Sequence, residues 1–201
     1  MREFIMIGRP NAGKTMFTLN FAAYIGIKTV DVTFRSYDGI MTCRHFSIEE
    51  AKSQLCGMAL HKTRCLQSLL LKLSVGKTMV QFKLTDTCGI AENINPDEKI
   101  RRGMAQTLSL LRSADFIFHI IDVSCISKEY LNNPSSIDHE IYNYGIVRNC
   151  YMLLANKIDL PSATGNIEKL TSLFPKASII PVSALRSQGF KEVKNCVAHN
   201  I

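Results

Sequence analysis

The chain has 201 residues, is 46% hydrophobic and carries 24 Lys and Arg against 17 Asp and Glu, for a net charge of +7; that is apolar material for one good core and short for two. Seven cysteines, an odd count without a C-x-x-C pair, argue against a disulfide framework or a zinc site and for a reducing cytosol. No apolar run of about 18 residues is present, and the first strand begins at once, leaving no room for a signal peptide, so the expectation is one cytoplasmic domain over residues 1–201.

The apolar run Phe4-Ile5-Met6-Ile7 leads into Gly8-Arg9-Pro10-Asn11-Ala12-Gly13-Lys14-Thr15, which fits G-x-x-x-x-G-K-[ST]. In that pattern a glycine-rich turn points backbone N–H groups at phosphate oxygens and the lysine neutralises them. Met16 to Gly26 reads as a helix, whose N-terminal partial positive charge adds to the anion site. Lys28 to Phe34 alternates as a strand, with Val30, Val32 and Phe34 on one side. Arg35 to Phe46 has a turn signal at Asp38-Gly39 and no clear period.

Ser47-Ile48-Glu49-Glu50 then spells a capping box. From it, Ala51, Leu55, Met58, Ala59, Leu66, Leu69, Leu70 and Leu73 fall near helical spacing, so a basic amphipathic helix is expected over 47–74. Between residues 44 and 77 lie Arg44, Lys52, Lys62, Arg64, Lys72 and Lys77 against only Glu49 and Glu50. Such a surface suits RNA, an anionic membrane or an acidic protein.

Thr78 to Leu84 reads as a strand running into Asp86-Thr87-Cys88-Gly89, followed by a polar stretch and a helix from about Pro96 to Arg112. Phe116 to Val123 is apolar throughout, as in a strand covered on both faces. A helix from Ser135 to Val147, a strand from Cys150 to Ala155, a helix from Thr164 to Phe174, a strand from Ala177 to Val182 and a helix from Gln188 to His199 complete the alternation. This is the pattern of a doubly wound α/β sheet, whose ligands bind at the carboxyl ends of the strands.

At that edge, Asp86 and Thr15 are placed to hold Mg²⁺. Gly89 can offer its N–H to a γ-phosphate because no side chain blocks the approach. In Asn156-Lys157-Ile158-Asp159 the last carboxylate can accept two parallel hydrogen bonds from guanine, a donor pair that adenine lacks, with Lys157 over the base and Asn156 bracing the loop. Ser183-Ala184-Leu185 offers backbone N–H to the guanine carbonyl or, read alone, is a helix cap.

Taken in order, G-R-P-N-A-G-K-T, D-T-C-G, N-K-I-D and S-A-L resemble the motif set of the small GTPases, and the first is most similar to the Era and Der branch of bacterial-type, ribosome-associated GTPases. The resemblance implies a Ras-like P-loop fold, with a six-stranded, mainly parallel sheet flanked by helices, interrupted here by an inserted helix after the first switch. It implies GTP and GDP as ligands, Mg²⁺ on Thr15 and Asp86, and Lys14 and Gly89 at the reacting phosphate. Asn11 matches an asparagine that helps hold K⁺ in several relatives.

Cys88 stands where the family has proline, and Ile90 where Ras-type enzymes carry a water-orienting glutamine. Hydrolysis would then rest on another group, a cation or a partner. Thr29, Thr33 and Thr42 are the candidate γ-phosphate sensors of the first switch, Thr42 preferred. Arg101 and Arg102 read as an exposed helix face, His119 as a buried, hydrogen-bonded histidine. The expected function is a slow, Mg²⁺-dependent GTPase acting as a conformational switch, with a ribosome, RNA or protein effector docking through 44–77. The alternative is a guanine-nucleotide-binding adaptor without significant turnover.

Overall fold

The computed structural model describes residues 1–57, 65–92, 95–133 and 136–201. Buried side chains of the first strand, β1 (Arg2–Ile7), alternate between two cores: Phe4 and Met6 enter one cluster and Ile5 and Ile7 the other, so helices must cover both faces of the sheet. The remaining strands are β2 (Thr29–Arg35), β3 (Met41–Ser47), β4 (Leu66–Val75), β5 (Thr78–Asp86), β6 (Phe116–Asp122), β7 (Tyr151–Asn156) and β8 (Ile179–Val182). The helices are α1 (Lys14–Tyr24), α2 (Ile48–Leu55), α3 (Glu98–Ser113), the short α4 (Lys128–Leu131), α5 (Ile137–Arg148), α6 (Asn166–Leu173) and α7 (Phe190–Asn200). Side chains of α1, α2 and α7 fill one cluster and those of α3, α5 and α6 the other. Phe17 of α1 meets Phe190 of α7 edge to face at 4.8 Å, closing the first layer.

The expected α/β fold is present, but its sheet has eight strands rather than six, in the order β3-β2-β4-β5-β1-β6-β7-β8. The strands β5, β1, β6, β7 and β8 are parallel, whereas β4 runs antiparallel to both β5 and β2, and β3 antiparallel to β2. The two strands beyond the six read from the sequence are β3 and β4, and β2 and β3 form a hairpin on the margin beyond β4.

The helix expected over 47–74 is not found. Ser47 does cap a helix: its hydroxyl accepts from Glu50 N–H and the Glu50 carboxylate accepts from Ser47 N–H. That helix ends at Leu55. Met58, Ala59, His61, Lys62 and Arg64 of the expected helix lie outside the described residues, as does Ser135 at the start of another.

Leu66–Val75 is instead a strand between β2 and β5, with Leu69, Leu71 and Leu73 buried and Leu70, Lys72 and Ser74 turned out. The run Leu69-Leu70-Leu71-Lys72-Leu73 satisfies a period near 3.6 through one subset of leucines and a period of 2 through another. Pairing decides between them: β4 registers against β5 from Gln67↔Asp86 to Val75↔Thr78 around a two-residue Gly76-Lys77 turn. A two-residue turn of this kind between two apolar runs is a hairpin signal in the sequence. β3 escaped notice for another reason. It is a margin strand exposed from Met41 to His45, so no buried face imprints a period on its sequence.

Candidate nucleotide-binding site

Parallel pairing brings the motif loops to one edge. Met6 is registered with Asp86, Asp122 with Asn156, and Asn156 with Val182, so the segments after β1, β5, β7 and β8 leave the sheet together. Three contacts bind them. Asn156 Nδ2 donates to Ala12 O at 2.7 Å while its Oδ1 accepts from Ala184 N–H at 2.8 Å, and Asn20 Nδ2 donates to Ala184 O at 2.7 Å. Asn156 therefore braces the phosphate-loop sequence against Ser183-Ala184-Leu185. The loop residue facing it must be glycine: Gly13 has φ of 100°, and a Cβ there would lie 2.3 Å from Asn156 Nδ2.

Within the loop, Lys14 is buried, with Nζ donating to Arg9 O at 2.8 Å and Gly8 O at 3.3 Å. Burial pushes the Lys14 ammonium below its ordinary pKa, and the Asp86 carboxylate opposes that shift. Thr15 Oγ1 donates to Asp86 Oδ2 at 2.6 Å. Burial drives the Asp86 carboxyl up to about 6, against the charge of Lys14 and the hydrogen bond from Thr15. The other oxygen of Asp86, Oδ1, is buried with no hydrogen-bond partner. An unsatisfied buried carboxylate oxygen beside a threonine hydroxyl is a donor set for a hard divalent cation, and these residues fit Mg²⁺. Among the described residues no cluster of three or more His, Cys, Asp or Glu offers another metal site.

The Asp86-Thr87-Cys88-Gly89 segment lies directly on the phosphate loop. Thr87 Oγ1 donates to Met6 O at 2.8 Å, and Ile90 N–H donates to Gly8 O at 3.1 Å. A Cβ on Gly89 would come within 2.6 Å of Pro10 N and 3.0 Å of Lys14 Nζ. Ile90 is buried in the core cluster of Ile5, Ile7 and Leu66, so it anchors this segment and is in no position to orient water. The Cys88 thiol is buried and pushed up to about 11 by that burial, which leaves it a poor nucleophile.

At the other end of the site Lys157 adopts φ of 70° and its Nζ pairs with Asp122 Oδ2 at 2.5 Å. Asp159 is partly exposed, Ser183 is buried with its hydroxyl accepting from Arg186 N–H, and Leu185 is 66% exposed. Asn11 is exposed, with φ of 60°.

Two further placements bear on the loop and on the first switch. The Arg9 side chain points away from the loop interior: Nε donates to Asp138 Oδ2 at 2.6 Å, Nη2 pairs with Glu92, and the guanidinium lies over the Tyr130 ring. Only its carbonyl turns toward Lys14. Thr42 lies on β3, registered with Phe34 and three strands from β5, a lateral separation of about 14 Å from Asp86 at about 4.8 Å per strand. Thr33 lies inside β2, and Thr29 is registered with Ser47 at the far end of that strand.

Reading by motif missed Asp122, Asn20 and Asp138. Asp122 had a visible signal, as the acidic end of an apolar strand beside the Asn156 strand. Asn20 and Asp138 had none, because helix periodicity gives no sign of which polar residue turns inward. His119 is buried as expected, held by Tyr151 Oη at 2.7 Å and Asp138 Oδ1 at 2.9 Å.

A family model described as 50S ribosome-binding GTPase matches residues 3–157. The GTPase Obg of Halalkalibacterium halodurans is 31% identical over 127 residues, and that of Shouchella clausii 27% over 124 residues. Each match takes in 60% of this chain and 28% of the relative, so the chain spans little more than a quarter of the curated relatives it matches. Era in complex with MgGDPNP and a 16S ribosomal RNA fragment superposes with a TM-score of 0.66 at 21% identity, over 99% of this chain and 56% of that one. An Aquifex aeolicus Era variant bound to GDP.AlF4- gives 0.60 at 21% identity, over 100% of this chain and 57% of that one. These two likenesses establish a Ras-like P-loop GTPase fold. The chain belongs to the 50S ribosome-binding GTPase family.

Proposed function

We propose that the chain binds guanine nucleotide with Mg²⁺, hydrolyses GTP slowly and changes conformation with the state of the nucleotide. The observation that carries this reading is Asn156, which joins the loop of Lys14 and Thr15 to the loop of Ala184 through hydrogen bonds of 2.7 and 2.8 Å. Phosphate and base sites are thereby one rigid unit. Gly8, Arg9, Pro10, Asn11, Ala12 and Gly13 supply the loop backbone, and Lys14 neutralises the phosphates. Asp159 reads the base, with Lys157, steadied by Asp122, against its face. Thr15 and Asp86 would hold Mg²⁺, which supplies charge neutralisation between phosphates. Gly89 reports the γ-phosphate.

A threonine sensor belongs in the segment that enters β4, because Gln67 is registered with Asp86. Thr63, outside the described residues, is the threonine that the sequence offers between Leu55 and Leu66. With Ile90 buried, hydrolysis rests on a partner or on a cation at Asn11. Equal rates in KCl and NaCl at matched ionic strength would remove the K⁺ part of the proposal.

A ribosomal or RNA partner accords with the +7 charge and with the Era relative solved beside ribosomal RNA. A continuous basic helix over 47–74 is not the docking surface, because β4 occupies its last third. Among the described residues no helix is long and apolar enough to cross a membrane. The base assignment is tested by Asp159→Asn. GTP affinity is expected to fall about 100-fold, the scale of two charge-assisted hydrogen bonds, while xanthosine triphosphate gains. Unchanged GTP affinity, measured by calorimetric titration, overturns the reading.

A further inference from the structure

Arg9 belongs to the phosphate loop, yet its side chain ties three other parts of the molecule together. Nε donates to Asp138 Oδ2 at 2.6 Å, and Asp138 is fully buried on α5, its second oxygen held by His119 Nε2 at 2.9 Å. The guanidinium lies 5.2 Å from the centre of the Tyr130 ring. Its outer nitrogen, Nη2, pairs at 2.5 Å with Glu92, three residues beyond Gly89. The inner side of Arg9 is therefore fixed by a buried carboxylate, and the outer side holds the segment that covers the phosphate loop.

We infer that Arg9 is a positioning residue that latches the Gly89 to Glu92 segment down on the phosphate loop through Glu92, and so biases the site toward guanosine diphosphate over triphosphate. The argument is steric. Gly89 sits so close to Pro10 and Lys14 that even an added Cβ would meet Pro10 N at 2.6 Å and Lys14 Nζ at 3.0 Å. A γ-phosphoryl group between Lys14 and Gly89 needs more room than a methyl, so this segment must lift, and lifting it draws Glu92 from an arginine that Asp138 prevents from following. A diphosphate has no γ-phosphoryl group to place there. Because the latch opposes only one ligand, its free energy enters the ratio of the two affinities. Lysine cannot replace arginine here, since one ammonium cannot present two donors to carboxylates on opposite sides.

This inference rests on the proposed binding of guanine nucleotides, and its test separates the two. Affinities for GDP and for a non-hydrolysable GTP analogue, both with Mg²⁺, are measured on the unaltered full chain, on Glu92→Gln, on Arg9→Gln, on Arg9→Lys and on the double Arg9→Gln/Glu92→Gln variant. The expected result is a rise of about five-fold in analogue affinity relative to GDP in each single variant, the scale of a partly exposed charge pair. The double variant should rise no further, because both changes open one latch. A general weakening of the loop moves both affinities together and leaves the ratio fixed, which distinguishes it from the latch. A ratio unchanged in the Glu92 and Arg9 variants, or effects that multiply in the double variant, overturns the latch while leaving guanine-nucleotide binding in place. Failure of the unaltered chain to bind either nucleotide overturns both.

Discussion

On β1, β6 and β7 nearly every side chain is buried, whereas on β3, at the opposite side of the sheet, only Phe46 is. The central parallel strands are sandwiched between helices, so their sequences are continuous apolar runs that end in polar, ligand-facing loops. The antiparallel margin of β2, β3 and β4 is held by pairing and by one covered face. Its sequence carries a weaker imprint. Chemistry gathers where burial is complete, because there a few polar groups such as Lys14, Asp86 and Asn156 are desolvated and fixed. The margin gives the fold breadth and surface.

The sharpest way to break this comparison is at β4, which belongs to both regions. If it is a strand with one buried face, Leu71→Ala should cost about 3 kcal/mol and Leu70→Ala about 0.5 kcal/mol or less in urea unfolding, because Leu71 is fully buried and Leu70 is 53% exposed. Similar losses at the two positions would sink the strand assignment.

On the ligand side, Asp86→Asn should stabilise the ligand-free chain by about 3 kcal/mol at neutral pH. Burial raises the Asp86 carboxyl from 3.8 to about 6, so its ionised form costs stability above that pH, and the cost fades as pH falls toward 3.8. The same variant should lose the extra thermal stability conferred by Mg²⁺ with nucleotide. A melting temperature that falls in the ligand-free variant would contradict the idea of a carboxylate held ready for a cation.

The smallest effect belongs to the margin. Ser47→Ala removes the hydroxyl half of the capping box and should cost about 1 kcal/mol by thermal unfolding, with nucleotide affinity unaltered. A change in affinity would show that the margin and the site are coupled, and would narrow the contrast between them.

That the segments of Gly8 to Thr15, Asp86 to Gly89 and Asn156 to Asp159 meet at one edge of the sheet was legible in the sequence, because each follows an apolar run of strand length. The capping box of α2 was legible too, being a local exchange of hydrogen bonds between Ser47 and Glu50. The strand β4 was not. Its leucines fit two periods, and only its neighbours β2 and β5 choose between them.

The β2–β3 hairpin sets Thr42 three strands from β5, where sequence distance gives no measure of spatial distance. By itself the sequence determined the parallel half of the fold and the motifs of the family, because each is set by local pattern. Only the tertiary structure decided that the sheet has eight strands and that the Arg9 side chain meets Asp138 and Glu92. Both depend on contacts between residues remote in the chain, where strand pairing and the burial of charge, rather than local propensity, set the outcome.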